Sequence, residues 1–163
     1  MYERALRGYE KALGPEHTST LNTVNNLGTL YADQGRLSDA EAIFERALRG
    51  YEKALGLEHM STLDTVNNLG NLFVNQGRLS DAEAMYERAL RGYEKALGIE
   101  NVNFYVPALN TIQNLAILHT QLRNIAKARG LYVRCQAGVE AVFGVQHYRY
   151  QDVTRGLASL DGC

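Results

Sequence analysis

The first 84 residues are one sentence written twice. Residues 1–42 read MYERALRGYEKALGPEHTSTLNTVNNLGTLYADQGRLSDAEA, and residues 43–84 read IFERALRGYEKALGLEHMSTLDTVNNLGNLFVNQGRLSDAEA. The period is 42 residues and only nine positions differ. A third copy opens at Met85, keeps MYERALRGYEKALG through Gly98, gains four residues, and continues as QNLAILHTQLRNIAKARGLYVRC. A last half-copy follows, with Gly144-Val145-Gln146-His147 in place of Gly56-Leu57-Glu58-His59. A fixed period of this length means one supersecondary motif stacked on copies of itself, because such a motif cannot bury its apolar face alone. The expected organisation is a single array over 1–163, with a half repeat at 1–14, repeats at 15–56, 57–98 and 99–144, and a half repeat at 145–163.

Each repeat reads as two antiparallel helices. The first, helix A, is expected over about Ser19–Asp33, with Leu21, Val24, Leu27, Gly28 and Tyr31 on one face at helical spacing. Gln34-Gly35-Arg36-Leu37 ends it, Gly35 supplying the C-terminal cap. Ser38-Asp39-Ala40-Glu41 has the form of a capping box for the second helix, helix B, and Ser80-Asp81-Ala82-Glu83 repeats it. Helix B runs to about Leu55, burying Ala40, Phe44, Ala47, Leu48, Tyr51 and Leu55, and Gly56 ends it. Gly8, Gly50 and Gly92 fall inside B helices, where glycine costs about 1 kcal/mol relative to alanine. Close approach of a neighbouring helix is the expected reason, matched by Gly28 and Gly70 in the A helices. Pro107 falls at the start of the third helix A, where its missing N–H costs nothing.

These residues carry a family resemblance. NNLGTLYADQGRLSDAEAIFERAL resembles a tetratricopeptide repeat, with Leu27, Gly28, Tyr31, Gly35, Ala40, Phe44 and Ala47 in the signature places. The usual period is about 34 residues; a longer one with YEKALGxEH resembles the repeats of kinesin light chains, and near-identical arrays also resemble the sensor end of fungal NLR-like signalling NTPases. The resemblance implies an all-α, right-handed superhelical solenoid of helix pairs, whose A helices line a concave groove that holds a peptide or partner helix. The groove places fall on Asn22, Asn25, Asn26, Thr29, Ala32 and Asp33 in the first complete repeat, and on Asp64, Asn67, Asn68, Asn71, Val74 and Asn75 in the second. In the third they fall on Asn110, Gln113, Asn114, Ile117, Thr120 and Gln121, and in the last helix on Asp152 and Arg155. Chaperone-binding members clamp a carboxylate with Lys and Arg at such places. Here Asn25, Thr29, Asn68, Asn110 and Asn114 stand there, uncharged, so charge-assisted capture of a carboxylate is rejected.

The asparagine ladder is the leading site candidate, since a carboxamide both donates to and accepts from peptide backbone. Asn25 and Asn67 are expected to serve ligand without serving stability; the competing reading has some of the asparagines, Asn26 and Asn68 foremost, stitching adjacent helices together. The nine differences between the first two copies sort by place. Asn22/Asp64, Thr29/Asn71, Ala32/Val74 and Asp33/Asn75 lie on groove places, while Met1/Ile43, Tyr2/Phe44 and Tyr31/Phe73 are apolar swaps and Pro15/Leu57 and Thr18/Met60 lie in the turn. Core changes that keep volume beside groove changes that alter polarity are what partner selection produces. Drift on an exposed surface is the alternative, and the unchanged stretch from Glu45 to Gly56 argues against it.

Other chemistry is thin. His17, His59 and His147 recur at one turn position, with Asn101 in the third copy, but stacked repeats hold equivalent residues too far apart to share a metal. His119 replaces Tyr31 and Phe73 and reads as a core histidine; Cys135 replaces Ala47 and Ala89 and reads as a packing residue rather than a nucleophile. Tyr148, Arg149, Tyr150 and Arg155 form an aromatic-basic cluster compatible with RNA, though a surface helix start accounts for it too. The inserted Val102-Asn103-Phe104-Tyr105-Val106 is apolar for a loop and is expected to pack over a neighbouring repeat. A net charge of -1 offers nothing to nucleic acid or an anionic membrane. Two cysteines without metal spacing, Cys135 and Cys163, and no apolar run of membrane-spanning length imply a reduced, cytosolic setting.

The expected function is therefore protein or peptide binding, without cofactor or metal and without catalysis, since no paired carboxylates, triad or phosphate loop is present. An adaptor of the kinesin-light-chain type, a ligand sensor and a purely structural self-stacking array are the alternatives. Tyr2, Ala5, Leu6, Tyr9 and Leu13 keep the full buried pattern of a helix B at the N-terminal edge, which is expected to be adhesive toward upstream repeats or a second copy. The last helix, about Tyr148–Leu160, has Thr154 and Asp161 at places elsewhere apolar, as a terminal cap requires.

Overall fold

The computed structural model describes residues 2–162, with side chains from Arg4 to Asp161. Met1, the Tyr2 side chain and Cys163, on which parts of the sequence reading fall, lie outside the described residues. Among the described residues all regular structure is helical: α1 (Tyr2–Leu13), α2 (Thr18–Asp33), α3 (Leu37–Leu55), α4 (Met60–Asn75), α5 (Leu79–Leu97), a single turn α6 (Ile99–Val102), α7 (Val106–Gln121), α8 (Ile125–Phe143) and α9 (Tyr148–Ser159), closed by a 3-10 turn over Leu160–Gly162. The helices alternate as the 42-residue period requires: α2, α4, α7 and α9 are A helices, and α1, α3, α5 and α8 are B helices. The chain divides into two compact units, residues 1–85 and 86–163.

In the first unit, α2 packs on both α1 and α3, and α3 on α4. Leu21, Val24 and Leu27 of α2 join Leu6 of α1 and Ala47 and Tyr51 of α3 in one core cluster, with Ile43 and Leu55 partly buried against it. Burying a side chain the size of Leu or Phe stabilises by about 1.5–3 kcal/mol, so these helices hold one another rather than themselves. The close approaches read from glycine are real at two places. A Cβ on Gly50 would lie 2.3 Å from Leu21 Cδ2, and one on Gly28 2.8 Å from the Phe44 ring. Gly8 departs from the expectation: nothing lies within 4 Å of its Cβ direction, because the leucine that meets Gly50 comes from the A helix before its own B helix, and no such helix stands before α1 among the described residues.

The turns between helices are built from backbone and small polar side chains. Gly56 closes α3 with φ +94°, a conformation L side chains rarely adopt, and its carbonyl accepts from the Thr62 hydroxyl at 2.8 Å. Thr20 does the same for Gly14 at 2.8 Å. The capping box is corrected. The B helix begins two residues early, at Leu37, with Arg36 as a cap that makes no side-chain cap bond, and Ser38 sits inside the first turn. Glu41 is unavailable for capping because it accepts from Gln76 Nε2 (2.8 Å) and Arg78 (2.7 Å) at the end of the next A helix. A recurrent side-chain cap is found instead at the A helices α2, α4 and α9, where His17, His59 and His147 each accept from the backbone N–H two residues on, Ser19, Ser61 and Arg149, at 3.2 Å. That explains their recurrence without a metal: a neutral imidazole nitrogen is an N-cap acceptor.

In the second unit, α7 packs on α8 and α8 on α9. Pro107 lies in the first turn of α7, as expected. The four-residue insertion becomes α6 and its exit: Val102 is fully buried, the Tyr105 ring meets Tyr93 edge-on at 5.5 Å, and Asn103 Oδ1 accepts from Arg134 Nε at 2.8 Å, while Phe104 stays exposed. Gly138, the counterpart of Gly50, makes room for it, since a Cβ there would lie 2.5 Å from both Asn103 O and Leu109 Cδ2. His119 and Cys135 are buried as expected; burial pushes the Cys135 thiol up to about 11, and its sulfur sits 3.6 Å from the Leu109 carbonyl. Gln136 donates to Thr154 at 2.7 Å and Arg129 pairs with Asp161 at 2.6 Å, where other copies carry apolar residues at 136, 154 and 161.

Candidate functional site

The A helices expose the face that the resemblance assigns to ligand. In the first unit, the ends of α2 and α4 enclose a cleft of about 130 Å³. Thr29, Ala32 and Asp33 line it from α2, Asn68, Asn71, Leu72 and Asn75 from α4, and Phe44 of α3 forms part of its floor. Six residues named from the sequence therefore converge on one concavity. Val74 is half-buried beside it.

The rest of the ladder divides between exposed places and contacts that join helices. Asn25 Oδ1 accepts from Thr65 Oγ1 at 3.2 Å and from Asn68 Nδ2 at 3.4 Å, joining α2 to α4. Asn25 thus helps hold the helices together, contrary to the expectation that it does not serve stability; Asn68 both joins the seam and lines the cleft, and Asn26, expected to stitch, is exposed. The register decides this, because residue 25 points along the α2–α4 seam and residue 26 lies one helical step of about 100° away. Asn22 accepts from the Tyr51 hydroxyl; burial first, and then the charge of Asp64, push that tyrosine up to about 12, so it stays a donor. Asp64 and Asn67 are half-buried.

In the second unit, Asn110 accepts from Arg149 Nη2, and the guanidinium of Arg149 also lies 5.3 Å from the Phe143 ring centroid. Arg155 pairs with Asp152. Arg155 of the aromatic-basic cluster is thus paired with an anion and Arg149 is hydrogen-bonded within the fold, which leaves the cluster less to offer a phosphate backbone. Gln113 and Asn114 are half-buried and Ile117 is exposed. Thr120 and Gln121 line a larger open cleft of about 500 Å³ with Arg123 and Ile125.

The unchanged B-helix stretch also has a structural reason. Arg46 pairs with Glu10 of α1 at 2.5 Å and Lys53 with Glu16 of the α1–α2 turn at 2.6 Å, so part of its invariance reflects pairing with neighbouring elements and weighs less against drift. Among the described residues no three His, Cys, Asp or Glu side chains are grouped to hold a metal, and no helix is long and apolar enough to cross a membrane.

Comparison with known proteins agrees with this architecture. No curated protein sequence matches the chain. Among solved structures, BtubC (BKLC) from P. vanneervenii superposes with a TM-score of 0.83 at 20% identity, over 98% of this chain and 62% of that one. The chain thus spans less than two thirds of that protein. The nearly identical TPR-like repeats of a putative kinesin light chain from Podosopora anserina superpose with a TM-score of 0.77 at 21% identity, over 98% of this chain and 74% of that one. A single-residue variant of those repeats superposes with a TM-score of 0.79. At such identities the likeness is one of fold. One family model described as tetratricopeptide repeat matches residues 1–53 and 25–95, and another with the same description matches 108–149. With more than half of its length matched in this way, the chain belongs to the tetratricopeptide repeat family.

Proposed function

We propose that this chain is a protein-interaction module that binds a peptide or partner segment on the exposed face of its A helices. One observation carries the reading: five of the residues lining the α2–α4 cleft, Thr29, Ala32, Asp33, Asn71 and Asn75, stand at places where two otherwise near-identical repeats differ. A surface varied against a fixed background is how one scaffold acquires selectivity. The finer reading is an adaptor of the kinesin-light-chain type, supported by the 42-residue period. The test is peptide selection from a displayed random library on the intact chain, repeated on an Asn71→Lys, Asn75→Lys variant with unchanged circular dichroism. Selected peptides should lose binding to the variant; retention would move the site to another face.

A second reading, self-association, has its own observation. Tyr9 and Leu13 of α1 are 42% and 46% exposed, whereas Tyr51, the counterpart of Tyr9, is 2% exposed. An apolar face of this kind is adhesive. Light scattering on the chain and on a Tyr9→Glu, Leu13→Glu variant tests it: the chain should associate at tens of micromolar and the variant should not, and a monomer in both cases would refute it.

A further inference from the structure

The α2–α4 cleft has a sign. Asp33 is exposed, lies on its rim, and pairs with no cation among the described residues. It is also the last residue of α2, as Asn75 is of α4, so two helices bring the negative ends of their dipoles to the same rim. No lysine or arginine lines the cleft. The nearest cations in sequence are engaged elsewhere: Arg36 lies over the Tyr31 ring and pairs with Asp39 at 2.7 Å, and Arg78 lies over Phe73 and pairs with Glu41 and Asp81, each at 2.7 Å. Below the rim the floor is apolar, formed by Phe44 and Leu72.

An apolar floor under a negative, amide-bearing rim fits an alkyl stem with a cationic head. We propose that the cleft takes a lysine or arginine side chain from an extended basic peptide, with Asp33 as counter-ion. This rests on the A-helix face being the peptide-binding face. A glutamate side chain would meet Asp33 with no cation to offset it, and glutamine would gain hydrogen bonds without charge. In the third repeat, Ile117, Gln121 and Arg123 stand where the second has Asn71, Asn75 and Gly77, so the preference belongs to this cleft and not to every A helix.

The probes are three fluorescein-labelled nonapeptides of alternating Ala–Lys, Ala–Gln and Ala–Glu, titrated by anisotropy at low salt against the intact chain, Asp33→Asn and Asp33→Lys, with amide shift mapping on the 15N-labelled chain. Asparagine is what the second repeat carries at the corresponding place, so Asp33→Asn keeps the fold. The Lys peptide should bind tightest, shift amides around Ala32 and Asn75, and weaken about three- to fivefold in Asp33→Asn, the size of an exposed ion pair. Asp33→Lys should turn the preference toward the Glu peptide. Binding at these amides with no charge preference, or with unchanged affinity in Asp33→Asn, overturns the basic-peptide assignment and leaves the A-face reading standing. Lys-peptide shifts confined to other helices overturn both, and no binding of the Lys peptide at millimolar concentration overturns the proposal.

Discussion

Three glycines at equivalent places in B helices, Gly8, Gly50 and Gly138, differ in what an added methyl group would meet, and their alanine variants should separate accordingly. Replacing glycine by alanine inside a helix gains about 1 kcal/mol in every case. At Gly8 that gain is unopposed, since nothing lies within 4 Å of the new Cβ, and Gly8→Ala should stabilise α1 by about 1 kcal/mol. At Gly50 the new carbon would sit 2.3 Å from Leu21 Cδ2. Leu21 is 1% exposed, so it can yield only by repacking, at about 1–3 kcal/mol. The net effect of Gly50→Ala runs from neutral to about 2 kcal/mol destabilising. At Gly138 the obstacle includes a backbone oxygen, Asn103 O at 2.5 Å, besides Leu109 Cδ2. A carbonyl held in the α6 exit has no rotamer to escape into, so Gly138→Ala should cost most of the three. Because α1 can open apart from the rest of a repeat protein, the assay is native-state amide exchange within α1 for Gly8 and urea denaturation followed at 222 nm for the other two. Faster exchange in α1 of Gly8→Ala, or a Gly50→Ala protein stabilised as much as Gly8→Ala is, would refute the reasoning that helix approach selected these glycines.

Asn25→Ala should lower stability by about 1 kcal/mol through loss of the acceptor shared by Thr65 and Asn68, while Asn26→Ala should leave the denaturation midpoint unchanged. Arg123 holds φ +57° at the place where Gly35 and Gly77 hold +74° and +75°; Arg123→Gly should therefore raise the melting temperature by relieving about 1 kcal/mol of left-handed strain. Glu41, held below the ordinary carboxylate range by the Gln76 amide and then Arg78, stabilises fully above the ordinary glutamate value of about 4.3, and that contribution is lost as pH falls through its lower folded value. Glu41→Gln should flatten the acid side of a midpoint-against-pH curve relative to the parent chain.

Most of the architecture was legible because the repeat was. A 42-residue period with apolar residues at helical spacing fixes two helices and two turns, and the copies then place eight of the helices together. The reading failed where local pattern and tertiary demand compete. Ser38-x-x-Glu41 has the form of a capping box, but Glu41 is worth more to Gln76 and Arg78 of the next repeat, a pairing 35 and 37 residues away that no local motif reports. The histidine caps were visible only as an unexplained recurrence, since histidine is not among the preferred N-cap residues. Between the A helices, Asn25 and not Asn26 is the asparagine that joins α2 to α4. Adjacent asparagines on one helix look alike in sequence, and only the angle at which α4 lies against α2 tells which one points into the seam.

That the cleft lies between two successive A helices gives the differences between copies a physical meaning. In a perfect array the same residue type would stand on both walls of such a cleft. With an aspartate at both 33 and 75, two carboxylates would share a rim that already receives the negative ends of two helices. Like charges so placed raise one another's pKa and disfavour the folded arrangement. Asparagine at 75 keeps the acceptor and removes the second charge, and the exchange of Thr29 for Asn71 likewise gives the walls different donors. A repeat protein can therefore diversify its ligand face through a few substitutions while leaving its buried residues nearly identical, because each cleft joins one residue from either copy. The core tolerates little of this, as Tyr51 and Tyr93, 2% and 0% exposed, illustrate: the same aromatic ring stands in the second and third copies. Packing thus holds the apolar places to swaps of similar shape, such as Tyr31 for Phe73, while the groove places are free to change polarity and charge, as Asp33 for Asn75 does.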